Sequence, residues 1–344
     1  MTTMRERSAT KAVRTMQAAV QERYGDPISV VTVRDVPVPT IEQDQVLVQV
    51  HAAGVNWADR SMTTGEPYVM RLGYGFTRPR NGIRGMDVAG VVTEVGDSVT
   101  ELVPGDDVFG WCAGAFAEYV AVRSAHLIEK PDTLSFAEAA GLPIAGCVAL
   151  QAVRDIAGIR SGDEVLVVGA SGGIGSLTVQ IAKAYGANVT GVCSTPNLDF
   201  VESLGADRVI DYTKTDFTLG DARYDMILDM ADRHGLSERR RVMTDHGTLI
   251  PNSGTGGRWS GSLPRIAKAK LVSPFVSQRL RPFFSMTKRG DLEELIDLVA
   301  SGAVRPVVGR AYPLDQTGKA IAEAGGGHAR GKVVVMVRPR ELGT

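Results

Sequence analysis

Residues 163–175 read Asp163-Glu-Val-Leu-Val-Val-Gly-Ala-Ser-Gly-Gly-Ile-Gly175. The run 165–168 is unbroken and apolar, the pattern of a strand covered on both faces of a parallel sheet. Gly169, Gly172, Gly173 and Gly175 then crowd into a turn. From Ile174 the period becomes helical, with Ile174, Leu177, Ile181 and Ala182 on one face and Thr178 the one polar residue among them. Gly186 stands where that helix would stop, and 188–192 reads as a second strand. Strand, glycine turn, helix and strand in about thirty residues make a unit suited to anions. Bare glycine backbone admits a pyrophosphate, and the first helical N–H groups point at it with the positive end of the helix dipole. The spacing is G-x-x-G-x-x-G; aligned on Gly172 and Gly175, the dinucleotide fingerprint would have its first glycine at Ala170. We expect Gly169, Ala170, Ser171, Gly172, Gly173, Ile174 and Gly175 to cradle a dinucleotide.

Outward from that turn, composition sets limits. A chain of 344 residues is long for one core, so two domains are expected. Hydrophobic residues make up 44% and charged residues 22%, ordinary for a globular protein. A formal net charge of -1 gives no reason to require nucleic acid or an anionic membrane as partner. Cys112, Cys147 and Cys193 are odd in number and widely spaced, neither a disulfide framework nor a metal knuckle. They fit a reducing cytosol, and we expect a cytoplasmic protein. No apolar run approaches the ~20 residues of a membrane span. Residues 1–15 are basic and hydroxyl-rich with Glu6 as the one acid; an organellar transit peptide, a disordered extension and an upstream start remain open, with Met16 opening the folded part.

Residues 17–135 read as mostly β, with β-branched runs at 46–50 and 88–95 broken by turn signals such as Gly96-Asp97. Irregular spacing and many glycines suggest a small barrel-like domain. Residues 64–84 lack a period, carry two prolines and read as a long binding loop or lid. A helix is expected over 135–156, interrupted at Pro143. Strands and helices then alternate through 190–193, 200–204, 209–211, 224–229 and 248–251, the mark of a doubly wound parallel sheet. Residues 275–284 read as its last strand, 291–300 as an amphipathic helix ended by Gly302, and the tail as α+β.

Four stretches carry a family resemblance: Ala53-Gly-Val-Asn-Trp-Ala-Asp59, Gly85-Met-Asp-Val-Ala-Gly90, the 169–175 turn, and Gly327-His-Ala-Arg-Gly-Lys-Val333. On these the chain resembles the medium-chain dehydrogenase/reductase superfamily and, within it, the zinc-independent quinone oxidoreductase branch that includes zeta-crystallin. The resemblance runs from about 16 to 337. It implies an α/β fold: a GroES-like β-rich catalytic domain over 16–136, a Rossmann cofactor-binding domain over 137–288, and a return to the catalytic domain over 289–344. Relatives commonly pair as homodimers through the Rossmann sheet edge, which makes 275–284 the expected interface strand.

The resemblance also frames the metal question. Where zinc alcohol dehydrogenases place a cysteine and a histidine ligand, this chain has Asn56 and Met86. A carboxamide and a thioether are poor replacements for thiolate and imidazole. Cys147 falls at the third ligand position but cannot hold zinc alone, and the four-cysteine structural lobe is missing. We expect no metal.

For the cofactor, NAD-binding folds place an acid about twenty residues past the turn to accept from the ribose 2′-OH. Here the second strand ends Ser194-Thr195, without an acid before Asp199. Hydroxyls suit a 2′-phosphate where a carboxylate would repel it, although capping the next helix is an equally good use of them. The resemblance adds Tyr212 at the adenosine end and a lysine that this chain replaces by Leu198. NADPH is expected over NADH.

Without a Lewis acid, hydride transfer suits an acceptor that is already electrophilic, such as a quinone or an α,β-unsaturated carbonyl. The resemblance places Asn56 beside the nicotinamide and substrate carbonyl, with Asp59 near it; an amide donor suits oxyanion stabilisation. Tyr68 and Tyr74 are candidate proton donors, with bulk water the alternative and His51 read as a core histidine. Lys332 is directed towards the cofactor by resemblance, and Phe283 and Phe284 towards its nicotinamide end. Ser253 and Asp229 stand at carboxyl ends of strands, where ligands bind in such sheets. The expected function is zinc-independent, NADPH-dependent reduction of a small quinone, enone or enal. Two alternatives stay open: an NADPH-binding structural or regulatory protein, and a pathway-specific reductase of a natural-product intermediate.

Overall fold

The computed structural model describes residues 14–338 apart from 232, 253–255, 283–284 and 328. The N-terminal part is β-rich. β1 (Thr15–Gln21) pairs antiparallel with β2 (Val31–Pro37), and β3 (Gln45–Val55), β4 (Asp87–Val95), β5 (Asp107–Trp111), β6 (Tyr119–Arg123) and β7 (Leu127–Glu129) follow. Strands then alternate with helices through β8 (Glu164–Val168), β9 (Asn188–Cys193), β10 (Arg208–Asp211), β11 (Tyr224–Asp229), β12 (Met243–Pro251) and β13 (Arg279–Leu280). These six form one sheet in the order β10-β9-β8-β11-β12-β13, with every neighbouring pair parallel. The order reverses between β8 and β11, and the 169–175 turn leaves β8 at that switch point.

The chain then returns to the first sheet. β14 (Val308–Pro313) and β15 (Lys332–Met336) complete a seven-stranded sheet β14-β15-β3-β4-β5-β7, with β6 also paired to β3. Strands β3–β7 and β14–β15, on either side of the parallel sheet in sequence, therefore build the seven-stranded sheet, while β1 and β2 pair with each other.

Helices Phe136–Ala140 and Pro143–Gln151 join the two sheets. The first starts at a reciprocal cap: Glu138 N–H donates to Ser135 Oγ at 3.2 Å and Ser135 N–H to Glu138 Oε2 at 3.0 Å. Pro143 opens the second, where a missing N–H costs nothing. Leu142, Leu150, Leu166, Leu177 and Ile181 are fully buried, and one apolar cluster runs from Ala52 and Phe109 in the β-rich sheet to Val165 in the parallel sheet and Leu177 in the helix Gly173–Ala184. Truncating such a leucine to alanine costs about 2–5 kcal/mol. This shared core joins the two sheets.

Two readings change. Residues 64–84 hold short helical turns at Tyr68–Met70 and Arg71–Tyr74, too brief for periodicity to register. Among the described residues the expected strand over 275–284 shrinks to Arg279–Leu280, preceded by a helical turn at Ser273–Phe275. Pro274 starts that turn, and Pro282, lacking an N–H, favours an early end to the strand.

Candidate active site

The site is built by strand register. β15 runs antiparallel to β3 with Val333 opposite Val55, so the next pair outward brings Lys332 to Asn56. β4 runs antiparallel to β3 with Asp87 opposite Gly54. The three side chains meet below the surface: Lys332 Nζ donates to Asn56 Oδ1 at 2.8 Å and to Val55 O at 3.1 Å, and lies 3.4 Å from Asp87 Oδ2. Asn56 Nδ2 donates to the same Asp87 oxygen at 2.9 Å. Gly54 is required here, because a Cβ would stand 2.2 Å from Ala140 O and 2.9 Å from Asp87 Oδ2.

This network fixes the amide. Ammonium only donates, so Oδ1 faces Lys332, and Nδ2 faces Asp87 with one of its two hydrogens. The second hydrogen has no protein acceptor among the described residues. Asp87 Oδ1 accepts from Ile144 N–H at 3.1 Å, in the first turn of helix Pro143–Gln151, so the helix dipole favours its negative charge. Burial nevertheless raises the Asp87 pKa, opposed by Lys332 and the bonds from Asn56 and Ile144.

Asp59 lies behind. Its carboxylate accepts from Asn56 N–H at 2.8 Å and Gly85 N–H at 3.1 Å, and it is fully buried. Burial, with the nearby Asp87 charge, pushes its pKa up to about 7 against those two bonds. Buried Arg84 faces it from one side, held by Gln21 Oε1 and Met62 O, each 3.2 Å away.

The glycine turn touches the same cluster. Gly169 has φ +85°, and a Cβ on Gly175 would stand 2.1 Å from Gly169 O. The helix Gly173–Ala184 starts with no side-chain cap, so the N–H groups of Gly173, Ile174 and Gly175 are free to meet an anion. Uncapped donors and a turn too tight for side chains fit a pyrophosphate. Gly331 N–H donates to Ser171 O at 2.8 Å, and Gly172 bridges Gly331. A Cβ on Gly173 would stand 2.9 Å from Lys332 Cδ. Turn and cluster thus share Lys332.

At the carboxyl ends of β9 and β10, Tyr212 N–H donates to Cys193 O at 3.1 Å. Thr195 Oγ1 donates to Asp211 Oδ2 at 2.5 Å and lies 3.2 Å from Thr213 Oγ1. Ser194 Oγ accepts from Asn197 Nδ2 at 3.2 Å, which leaves its own hydrogen free to donate. Asp229 is buried at the end of β11, accepting from Ala231 N–H at 3.0 Å and pairing with Arg239 Nη1 at 2.8 Å.

Tyr68 stands apart from the Asn56 cluster in its contacts. Its ring is edge-on to Trp259 at 5.1 Å, with the guanidiniums of Arg71 and Arg258 at 4.5 and 5.7 Å. Arg258 also pairs with Glu66 at 2.7 Å, so the 64–84 loop is clasped to the segment after β12. Ser253, Phe283 and Phe284 lie outside the described residues. Among the described residues no three His, Cys, Asp or Glu side chains gather as a metal site.

Asp87 and Gly331 were not singled out by the sequence reading. Asp87 left one signal, a carboxylate beginning an otherwise apolar strand at 87–92. Such a charge stays buried only with partners.

Two family descriptions match parts of the chain. The family described as alcohol dehydrogenase GroES-like domain matches residues 42–132, and that described as zinc-binding dehydrogenase matches 204–335. A chloroplast envelope quinone oxidoreductase homolog of Arabidopsis thaliana is 31% identical over 93% of this chain and 98% of its own length. The NADPH-dependent alkenal/one oxidoreductase of the same plant, a chloroplastic protein, is 33% identical over 94% of this chain and 80% of its own. The solved quinone oxidoreductase from Coxiella burnetii superposes with a TM-score of 0.81 at 30% identity, covering 94% of this chain and 100% of that one. With a GroES-like sheet, a Rossmann sheet and these relatives, the chain belongs to the medium-chain dehydrogenase/reductase superfamily, among its quinone oxidoreductase-like members.

Proposed function

We propose that the protein is an NADPH-dependent oxidoreductase that reduces a quinone or an α,β-unsaturated carbonyl without zinc. The observation that carries this reading is the unspent Nδ2 hydrogen of Asn56, locked in direction by Lys332 and Asp87. A rigid amide donor beside a dinucleotide turn is what a developing oxyanion needs. The family members bearing quinone and alkenal/one oxidoreductase names support the acceptor class.

When bound, NADPH supplies the hydride, accepted at the electrophilic carbon of the substrate. The chain's residues do the rest. The free N–H groups of Gly173, Ile174 and Gly175 hold the pyrophosphate, and Asn56 donates to the substrate oxygen as it gains charge. Lys332 and Asp87 hold the Asn56 amide, and Asp59 holds its backbone; these are positioning residues. The proton that completes the product comes from solvent. Tyr68 borders the entrance, where the 64–84 loop shapes the substrate pocket. Asp229 shapes the loop after β11. With amide and thioether at Asn56 and Met86, zinc has no sufficient ligand set.

The boundaries of 16–136, 137–288 and 289–344 suit the two sheets, with β13 at the open edge where a second copy would pair. Three free cysteines suit a reducing compartment such as the cytosol. The test is Asn56→Ala: turnover with a quinone or enone falls about 10²-fold while NADPH affinity holds. Unchanged turnover would remove Asn56 from the chemistry.

A further inference from the structure

The hydroxyl pair at the end of β9 does not by itself account for a phosphate site. Thr195 has one hydrogen and gives it to Asp211, so only Ser194 keeps a free hydroxyl donor. The position where the resembling branch has a lysine holds Leu198, whose side chain packs against the apolar core. The short helix it begins, Leu198–Ser203, contributes the acids Asp199 and Glu202 and no cation. Asp211 adds a carboxylate, though Thr195, Thr213 and Lys214 already engage it. A dianionic 2′-phosphate at this edge needs a cation from elsewhere.

One is in place. Arg233, in the loop after β11, lays its guanidinium over the Tyr212 ring at 4.8 Å. It is exposed and forms no ion pair among the described residues. Asp229 shapes that loop through Ala231 N–H, and His234 anchors it to the β10 side by an edge contact with Phe217 at 4.7 Å and by Asp216 at 3.2 Å. Tyr212 follows β10 and is bonded to Cys193, one residue before Ser194. The stack therefore sets the guanidinium beside the strand ends that receive the adenosine ribose in such sheets. Among the described residues no hydrogen bond or ion pair engages its N–H groups, which leaves them for a bidentate anion.

We propose that Arg233, stacked on Tyr212, binds the 2′-phosphate of NADPH together with the Ser194 hydroxyl, and so sets the preference for NADPH over NADH. The inference rests on the NADPH reading above. Lys214 serves a different part, offsetting Asp211.

The test is titration of the purified full chain with NADPH and NADH by cofactor fluorescence, and with 2′,5′-ADP and 5′-AMP by calorimetry. In the wild type, NADPH and 2′,5′-ADP bind more tightly than their partners lacking the phosphate. Arg233→Ala weakens NADPH and 2′,5′-ADP about 10-fold or more, leaves NADH and 5′-AMP within about 2-fold, and flattens the salt dependence; Arg233→Lys restores part. Arg233 is exposed, so the variants fold, which circular dichroism checks. A wild type that prefers NADH overturns both this proposal and the NADPH reading. A wild type that prefers NADPH with an unchanged ratio in Arg233→Ala, or an equal loss for both cofactors, overturns this proposal alone.

Discussion

Lys332 Nζ lies 2.8 Å from Asn56 Oδ1, across 276 residues of sequence, while the lysine stem packs beneath Gly173 of the 169–175 turn. One buried side chain thus spans the last strand, the Asn56 amide and the 169–175 turn.

Removing that lysine should therefore be costly. Lys332→Met leaves Asp87 buried beside only Asn56 and Ile144, and loss of one partner from a buried pair costs about 3–5 kcal/mol. Adding Asp87→Asn to Lys332→Met should recover part of the loss, because the orphaned charge goes. Chemical denaturation of both variants checks this; equal stability of wild type and Lys332→Met would mean that the pair is not buried as described.

Gly175→Ala should damage the turn more than the fold. The added Cβ would meet Gly169 O at 2.1 Å, and backbone cannot step aside as a flexible side chain can. Overpacking of this kind costs about 1–3 kcal/mol. A folded variant with cofactor affinity lowered more than 10-fold is expected, measured by fluorescence titration.

Asp59 should leave a signature in pH dependence. Its pKa is raised to about 7, so between its ordinary value near 3.8 and about 7 the folded state holds a proton that the unfolded chain has lost. Stability must then fall as pH rises through that window and level off above it. Buried Asp87 is raised too and adds in the same direction, while Lys332 and Arg84 face Asp59 and limit the shift. Thermal unfolding from pH 5 to 8 should show the decline in wild type and a shallower one in Asp59→Asn. Parallel curves would show that Asp59 is charged throughout.

The Arg258–Glu66 clasp of the 64–84 loop should affect substrate traffic rather than stability. Arg258 is 71% exposed in its pair with Glu66, and exposed pairs contribute about 0–1 kcal/mol. Glu66→Gln should leave the melting temperature near wild type and change KM for bulky acceptors more than kcat. Unchanged KM across acceptors of different size would place the loop outside the substrate path.

How far the sequence alone reaches depends on how local the signal is. The 169–175 turn was legible because strand, glycines and helix are contiguous, and the helical break at Pro143 because proline acts on its own residue. The Lys332–Asn56–Asp87 cluster was not, since it depends on the register of β15 and β4 against β3, which no spacing records. Resemblance flagged Asn56 and Lys332 separately without bringing them together. The strand expected at 275–284 took no account of the prolines at 274 and 282. Thr195 looked like a free donor until Asp211 proved to take its hydrogen.

The most direct measurement is oxidation of NADPH by chelator-treated protein against a panel of quinones, enones and enals. Cofactor consumption that needs an acceptor from this panel, and that added zinc does not raise, is the predicted result. No consumption with any acceptor while the cofactor binds, or activity that disappears with the chelator and returns with zinc, would contradict the account.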